Sequence, residues 1–143
     1  MMGKITGFPV ILQQQLDWGD MDALNHINNV VYFRYFENVR MRYFERIGMM
    51  EEMEKTKIAP ILGATECKFL LPLTYPDTIT LGASVSQVRE KRLTMKYVIY
   101  SQKSKEIAAE GGAEVVFVDF SSGRSTLISE TILAAIKKIQ ANG

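Results

Sequence analysis

One cysteine and one histidine occur in 143 residues, and each scarcity excludes something. A single thiol, Cys67, cannot close an internal disulfide, which favours a reducing compartment. One His and one Cys supply too few soft ligands for a zinc centre. No apolar run approaches the roughly 18 residues of a membrane-spanning helix. The opening MMGKITGFPVILQ lacks the apolar core and small-residue cleavage site of a signal peptide, so a cytoplasmic location is expected. Charge of neither sign is in excess: 17 basic and 16 acidic side chains leave a net +1. Nucleic-acid binding leaves a domain-wide basic signature, so neither nucleic acid nor membrane is an expected partner. Walker and dinucleotide glycine patterns are missing. GASVS (82–86) lacks the second glycine of a nucleophile elbow. No cofactor and no metal are expected.

Hydrophobic residues make up 47% of the chain and charged ones 23%, an ordinary globular balance. The length suits one domain over residues 1–143. Residues 9–17 suggest a first strand. Residues 29–47 carry a helical period, with Tyr32, Phe36, Val39, Tyr43 and Ile47 on one face, flanked by Phe33, Tyr35 and Phe44. The apolar arc covers about half the wheel, so this helix is expected to be enclosed. Gly48 suits its end.

From residue 58 the period becomes two. Thr65, Cys67 and Phe69 alternate with Glu66 and Lys68. Ile79, Leu81, Ala83 and Val85 alternate with Thr78, Thr80, Gly82 and Ser84, and Leu93, Met95, Tyr97 and Ile99 follow the same rule. The joints TYPD (74–77), VREKR (88–92) and QKSKE (102–106) are short enough for antiparallel hairpins. Gly111-Gly112 suggests a bulge or bend. A last amphipathic helix over about 129–140 carries Ile132, Ile136 and Ile139. A long helix with an antiparallel sheet makes an α+β layer architecture.

The densest chemistry is WGDMDALNHINNVVYFRYFE (18–37). Asp20, Asp22, His26, Asn28 and Asn29 crowd directly before the helix. Asn and Asp cap helices and make turns, so helix-start chemistry alone can explain the cluster, with Asn25 or Asn28 as the cap. The same free N–H groups can also polarise a carbonyl and stabilise an oxyanion. A neighbouring aspartate could then attack or activate water. Cys67 with His26 is a conceivable nucleophile and base, but Cys67 alternates onto the inner face of a strand, where packing cysteines are common.

This stretch resembles the signature of the hotdog-fold acyl-CoA thioesterases of the 4-hydroxybenzoyl-CoA thioesterase-like family. The matching positions are Asp20, Asp22, His26, Ile27, Asn28, Asn29, Tyr32 and Glu37. LLPLTYPDTITL adds Pro72 and Asp77. The resemblance implies a hotdog fold, in which a five-stranded antiparallel sheet wraps a long central helix. A short C-terminal helix follows, and the chain forms homodimers or homotetramers with interfacial active sites. It implies Asp22 as nucleophile or general base and the Asn29 backbone N–H as the carbonyl-polarising donor, with His26 as a helper. Tyr32, Phe33 and Tyr35 are candidate lining residues. The REKR stretch, through Arg89 and Arg92, is a candidate phosphate holder for coenzyme A.

Two features depart from the pattern or qualify it. Asn25 stands where the family commonly has Gly, and Asn tolerates left-handed backbone. Some relatives carry their acid on the central helix, where Glu37 sits, but helical spacing offers it Arg34 or Arg40 as ion-pair partners. The expected reaction is hydrolysis of an acyl-CoA or aryl-CoA thioester to acid and thiol. An acyl-ACP thioesterase and a non-catalytic acyl-CoA-binding hotdog domain are the alternatives.

Overall fold

The buried stripe of the long helix dictates the architecture, because that much aromatic surface needs a sheet curled around it. The computed structural model describes residues 5–142. In it the helix, α1, runs Asn29–Arg46. Five antiparallel strands enclose it: β1 (Val10–Gln15), β2 (Ile58–Phe69), β3 (Thr78–Val88), β4 (Arg92–Ser101) and β5 (Glu106–Asp119). Their order is β1-β3-β4-β5-β2, and a two-residue strand, β6 (Arg124–Ser125), extends the sheet beside β5. Helix α3 (Glu130–Gln140) closes one end. This is the expected hotdog fold.

Phe36, Val39 and Tyr43 have no exposed surface, and they meet Ile79, Leu81, Met95 and Ile99 from the concave face of the sheet. Gly48, with φ of +75°, ends α1 in the left-handed conformation that glycine adopts without steric cost. It also starts a helix the period did not suggest, α2 (Met49–Thr56). MMEEMEKT offers only Met49 and Met53 to the core, too few positions for a helical stripe. In α3, Ile132, Ile136 and Ile139 are buried as expected. Its Gln140 Oε1 accepts from the Tyr43 hydroxyl at 2.6 Å and from the Val85 N–H at 2.9 Å, joining helix to sheet.

Three expectations need correction. β2 and β3 are not a hairpin: β2 pairs with β5, so residues 70–77 cross the end of the sheet. On β3 the outer positions Thr80 and Ser84 are buried along with the inner ones, and Phe8 packs against Gly82 on that face. Gly111-Gly112 makes no bulge. Both glycines pair in regular register with Tyr97 and Lys96, and the irregularities fall beside Leu62, Val85 and Ile99. A Cβ at Gly111 would overlap the Phe36 ring, so this glycine is needed for close approach of helix to sheet.

Replacing Gly111 with Ala should therefore cost about 1–3 kcal/mol by overpacking. Urea unfolding of the variant checks this, with a smaller loss expected for Gly112→Ala, whose nearest neighbour would be the Met95 carbonyl at 3.3 Å.

Candidate active site

The segment before α1 folds back on itself as a small loop. Met21 bridges Ile27, the Asn28 N–H donates to the Asp20 carbonyl (3.0 Å) and the Asp22 N–H to the His26 carbonyl (2.8 Å). Asn25 takes φ of +62° at the tip, the left-handed geometry that allows Asn to stand at this position. Asp22 holds the turn through one oxygen, which accepts from the Leu24 N–H at 2.8 Å. Its carboxylate is exposed.

The Asn28 side chain accepts from the Val30 N–H at 3.1 Å and its carbonyl from the Val31 N–H at 2.9 Å. Such a cap contributes about 1 kcal/mol. Among the described residues the Asn29 N–H has no acceptor. It lies at the positive end of an 18-residue helix, where free N–H groups attract negative charge.

The crossing segment supplies the opposite wall. The Ile27 N–H donates to the Leu73 carbonyl (2.8 Å), and the Leu73 N–H to the Tyr32 hydroxyl (3.2 Å). These bonds fasten residues 71–73 against the helix start. Between them lies a cavity of about 280 Å3 lined by His26, Ile27, Asn29, Tyr32, Phe69, Leu70, Leu71 and Pro72. The Tyr32 ring meets Phe69 edge-on at 4.9 Å, and burial raises its phenol pKa, so it stays neutral. A larger groove, about 630 Å3, crosses the outer face of the sheet between Phe8 and a rim of Glu66, Lys96 and Glu110. None of its lining residues belongs to α1 or to the loop before it.

Three of the expected residues thus share one cavity: His26, Asn29 and Tyr32. Asp22 stands on the adjoining turn, outside the lining. Asp20 is a structural residue, with Arg34 Nη1 at 3.4 Å. Glu37 pairs with neither arginine proposed for it: Arg34 goes to Asp20 and Arg40 to the Tyr97 hydroxyl. Phe33 lies on the α1 surface, about a third exposed, and Tyr35 is buried; neither lines the cavity.

Arg89 and Arg92 are not brought to it within one chain. They lie at the β3–β4 turn, the whole length of β3 from the helix start, roughly 30 Å. Arg89 spends its guanidinium on Glu114 (3.4 Å) and Gln87 (3.2 Å). The wall Phe69–Pro72 leaves no signal in the sequence, because TYPD has the length and polarity of a hairpin joint, which hides the crossing.

The thioesterase-like superfamily matches residues 16–136. The chain belongs to that superfamily. Membership places it among the thioester hydrolases. A Thermus thermophilus thioesterase solved with coenzyme A and zinc is 27% identical and superposes with a TM-score of 0.85, over 97% of this chain and 99% of that one. A protein of Pseudomonas aeruginosa described as a possible thioesterase is 26% identical, with a TM-score of 0.80 over 90% and 98%. The uncharacterised YsmA of Bacillus subtilis is 28% identical over 93 residues, which is 65% of this chain and 62% of that relative's length. No helix is long and apolar enough to cross a membrane among the described residues. Nor do three His, Cys, Asp or Glu side chains gather there as a metal site.

Cys67 is partly buried on the inner face of β2, and desolvation pushes its thiol up to about 11. A protonated thiol is a poor nucleophile. Iodoacetamide should therefore label it slowly at pH 8 and faster as the pH approaches 11, and Cys67→Ala should keep full hydrolytic activity. Mass spectrometry over a pH series and a thiol-release assay check both.

Proposed function

We propose that the protein hydrolyses acyl-CoA thioesters at the start of α1. The observation that carries this is the Asn29 N–H, unpartnered among the described residues, in a residue that lines an open cavity one short loop from an exposed aspartate. The thioester carbonyl would accept from that N–H as negative charge develops on its oxygen; one such donor is worth about a hundredfold or more in rate. Asp22 supplies the missing base or nucleophile. Its one engaged oxygen fixes the turn, and the other is free to attack the carbonyl carbon or take a proton from water. His26, on the cavity wall, positions the substrate or water, and Tyr32 limits the acyl side. Coenzyme A in the Thermus thermophilus relative supports CoA as the carrier.

We also propose that two copies complete each site. β2 is an open edge of 12 residues on which Ile61, Leu62 and Phe69 are exposed. An edge of this length and apolarity invites pairing. Antiparallel pairing of two β2 strands about their centre would set the Phe69 end of one chain beside the Ile58 end of the other. The partner's β3–β4 turn lies at that end. Arg89 and Arg92, remote within a chain, would then come near the same site from across the interface, where the phosphates of CoA would leave the cavity. The single thiol suits a reducing cytoplasm.

Asp22→Asn should lower turnover by about a hundredfold or more, with melting temperature and sedimentation unchanged. Thiol release from a panel of acyl- and aryl-CoA esters measures it, and near-normal activity would sink the assignment. The same acyl groups on acyl carrier protein decide the carrier, and tight binding without turnover would favour a sensor. Leu62→Asp should yield monomers by analytical ultracentrifugation and lose activity with the interface. A fully active monomer would show that one chain suffices.

A further inference from the structure

Arg40 is a buried cation without an anion. It is 8% exposed, and among the described residues no carboxylate lies within 4.0 Å of it. Its Nη1 donates to the Tyr97 hydroxyl at 3.1 Å, and its guanidinium carbon lies 6.0 Å from the centre of that ring. Tyr97 cannot be the counter-ion. Burial raises the phenol pKa by more than Arg40 lowers it, so the group stays neutral.

A guanidinium has five N–H donors. Among the described residues, the one polar side-chain atom both fully enclosed and unbonded is the Tyr35 hydroxyl. Among the described residues only Nη1 of Arg40 has a hydrogen-bond partner, so its other N–H donors are uncommitted. Desolvating a charge this far without an opposite charge is costly, and none of the described residues pairs with it.

The position of Arg40 on α1 says which way those uncommitted donors lie. Asn29, Phe33, Phe36 and Arg40 are spaced 4, 3 and 4 residues apart, so they form one stripe along α1. From Phe33 onward the stripe is continuous in contacts. Phe33 meets Phe36 edge-on at 6.1 Å, Phe36 stacks on Tyr97 at 4.9 Å, and Tyr97 bonds Arg40. Phe36 also sits over Gly111, whose strand partners are Tyr97 and Cys67. The stripe therefore looks toward β2, the open edge whose Leu62 and Phe69 remain exposed.

Resting on the thioesterase reading above, we propose that Arg40 closes the far end of an acyl slot beginning at Asn29. There it binds an acidic oxygen, carboxylate or phenolate, at the distal end of the acyl group. Eleven residues of helix separate the two positions by about 16 Å, shortened to roughly 10 Å because long side chains lean toward the helix N-terminus. That suits a medium-length acyl group carrying its charge at the tip. The fork of N–H donors selects such an oxygen over a methyl group.

The test compares octanoyl-CoA with suberyl-CoA, the same chain ending in carboxylate. The wild type should prefer the diacid ester, and Arg40→Met should lower its kcat/KM by about 10- to 100-fold with little change for octanoyl-CoA. Arg40→Lys, which keeps the charge without the fork, should restore part of the preference. If Arg40→Met fails to fold, competition in the wild type replaces it: free suberate should inhibit better than octanoate, and equal inhibition overturns the proposal. Octanoyl-CoA turnover without preference for the diacid overturns the Arg40 role and leaves the thioesterase reading standing. Equal losses on both esters together with a weakened dimer assign Arg40 to a partner-chain carboxylate instead. Turnover of neither ester, nor of any other CoA ester, overturns both readings.

Discussion

The seating of the Phe36 ring on Gly111 is the contact from which the other distances follow. Without a side chain at Gly111, α1 can settle into the sheet until Phe36 lies against Tyr97 at 4.9 Å. A helix held that close has its first turn fixed against whatever crosses the end of the sheet. Here that is Leu71–Leu73, and the bond from the Leu73 N–H to the Tyr32 hydroxyl is within reach only because the helix is deep. The cavity at the helix start is the space left between two elements that the core, some way off, has already positioned.

The local demands of the helix start and of the chemistry coincide. A helix leaves its first N–H groups unsatisfied. Asn28 satisfies two of the first three with its side chain and its carbonyl, and Asn29 is left over. A third partner would add stability and remove the donor a thioester carbonyl needs. Asp22 is similarly divided: one oxygen is engaged by Leu24 and holds the turn rigid, while the other is uncommitted. Preorganisation and reactivity are shared between two oxygens of one carboxylate.

Period and turn chemistry made the α1 core face, the four later strands and α3 readable, because burial follows directly from alternation. The family signature at Asp20–Glu37 named Asn29, His26 and Tyr32, which the structure brings into one cavity. Three things were hidden for physical reasons. The strand order was hidden because short polar joints look alike whether they turn a hairpin or cross a sheet. α2 has only two core contacts, so its stripe is too thin to register. The inward turn of Arg40 is the third, since helical spacing to Glu37 alone cannot distinguish a solvated ion pair from a buried cation.

The placement of charge also bears on why a second copy would be useful to this chemistry. An aspartate open to water is a weak nucleophile toward a thioester, because hydration stabilises its charge as well as any transition state would. A dipole at a helix end likewise weakens when water screens it. Both groups are exposed at the surface of the single chain, on the flank that holds Phe33 and the uncovered β2 edge. Covering that flank would exclude water from the Asp22 turn and strengthen the Asn29 donor. It would also enclose what little of Arg40 is exposed. The same burial that satisfies an apolar strand edge would convert a solvated turn into a site where charge differences count.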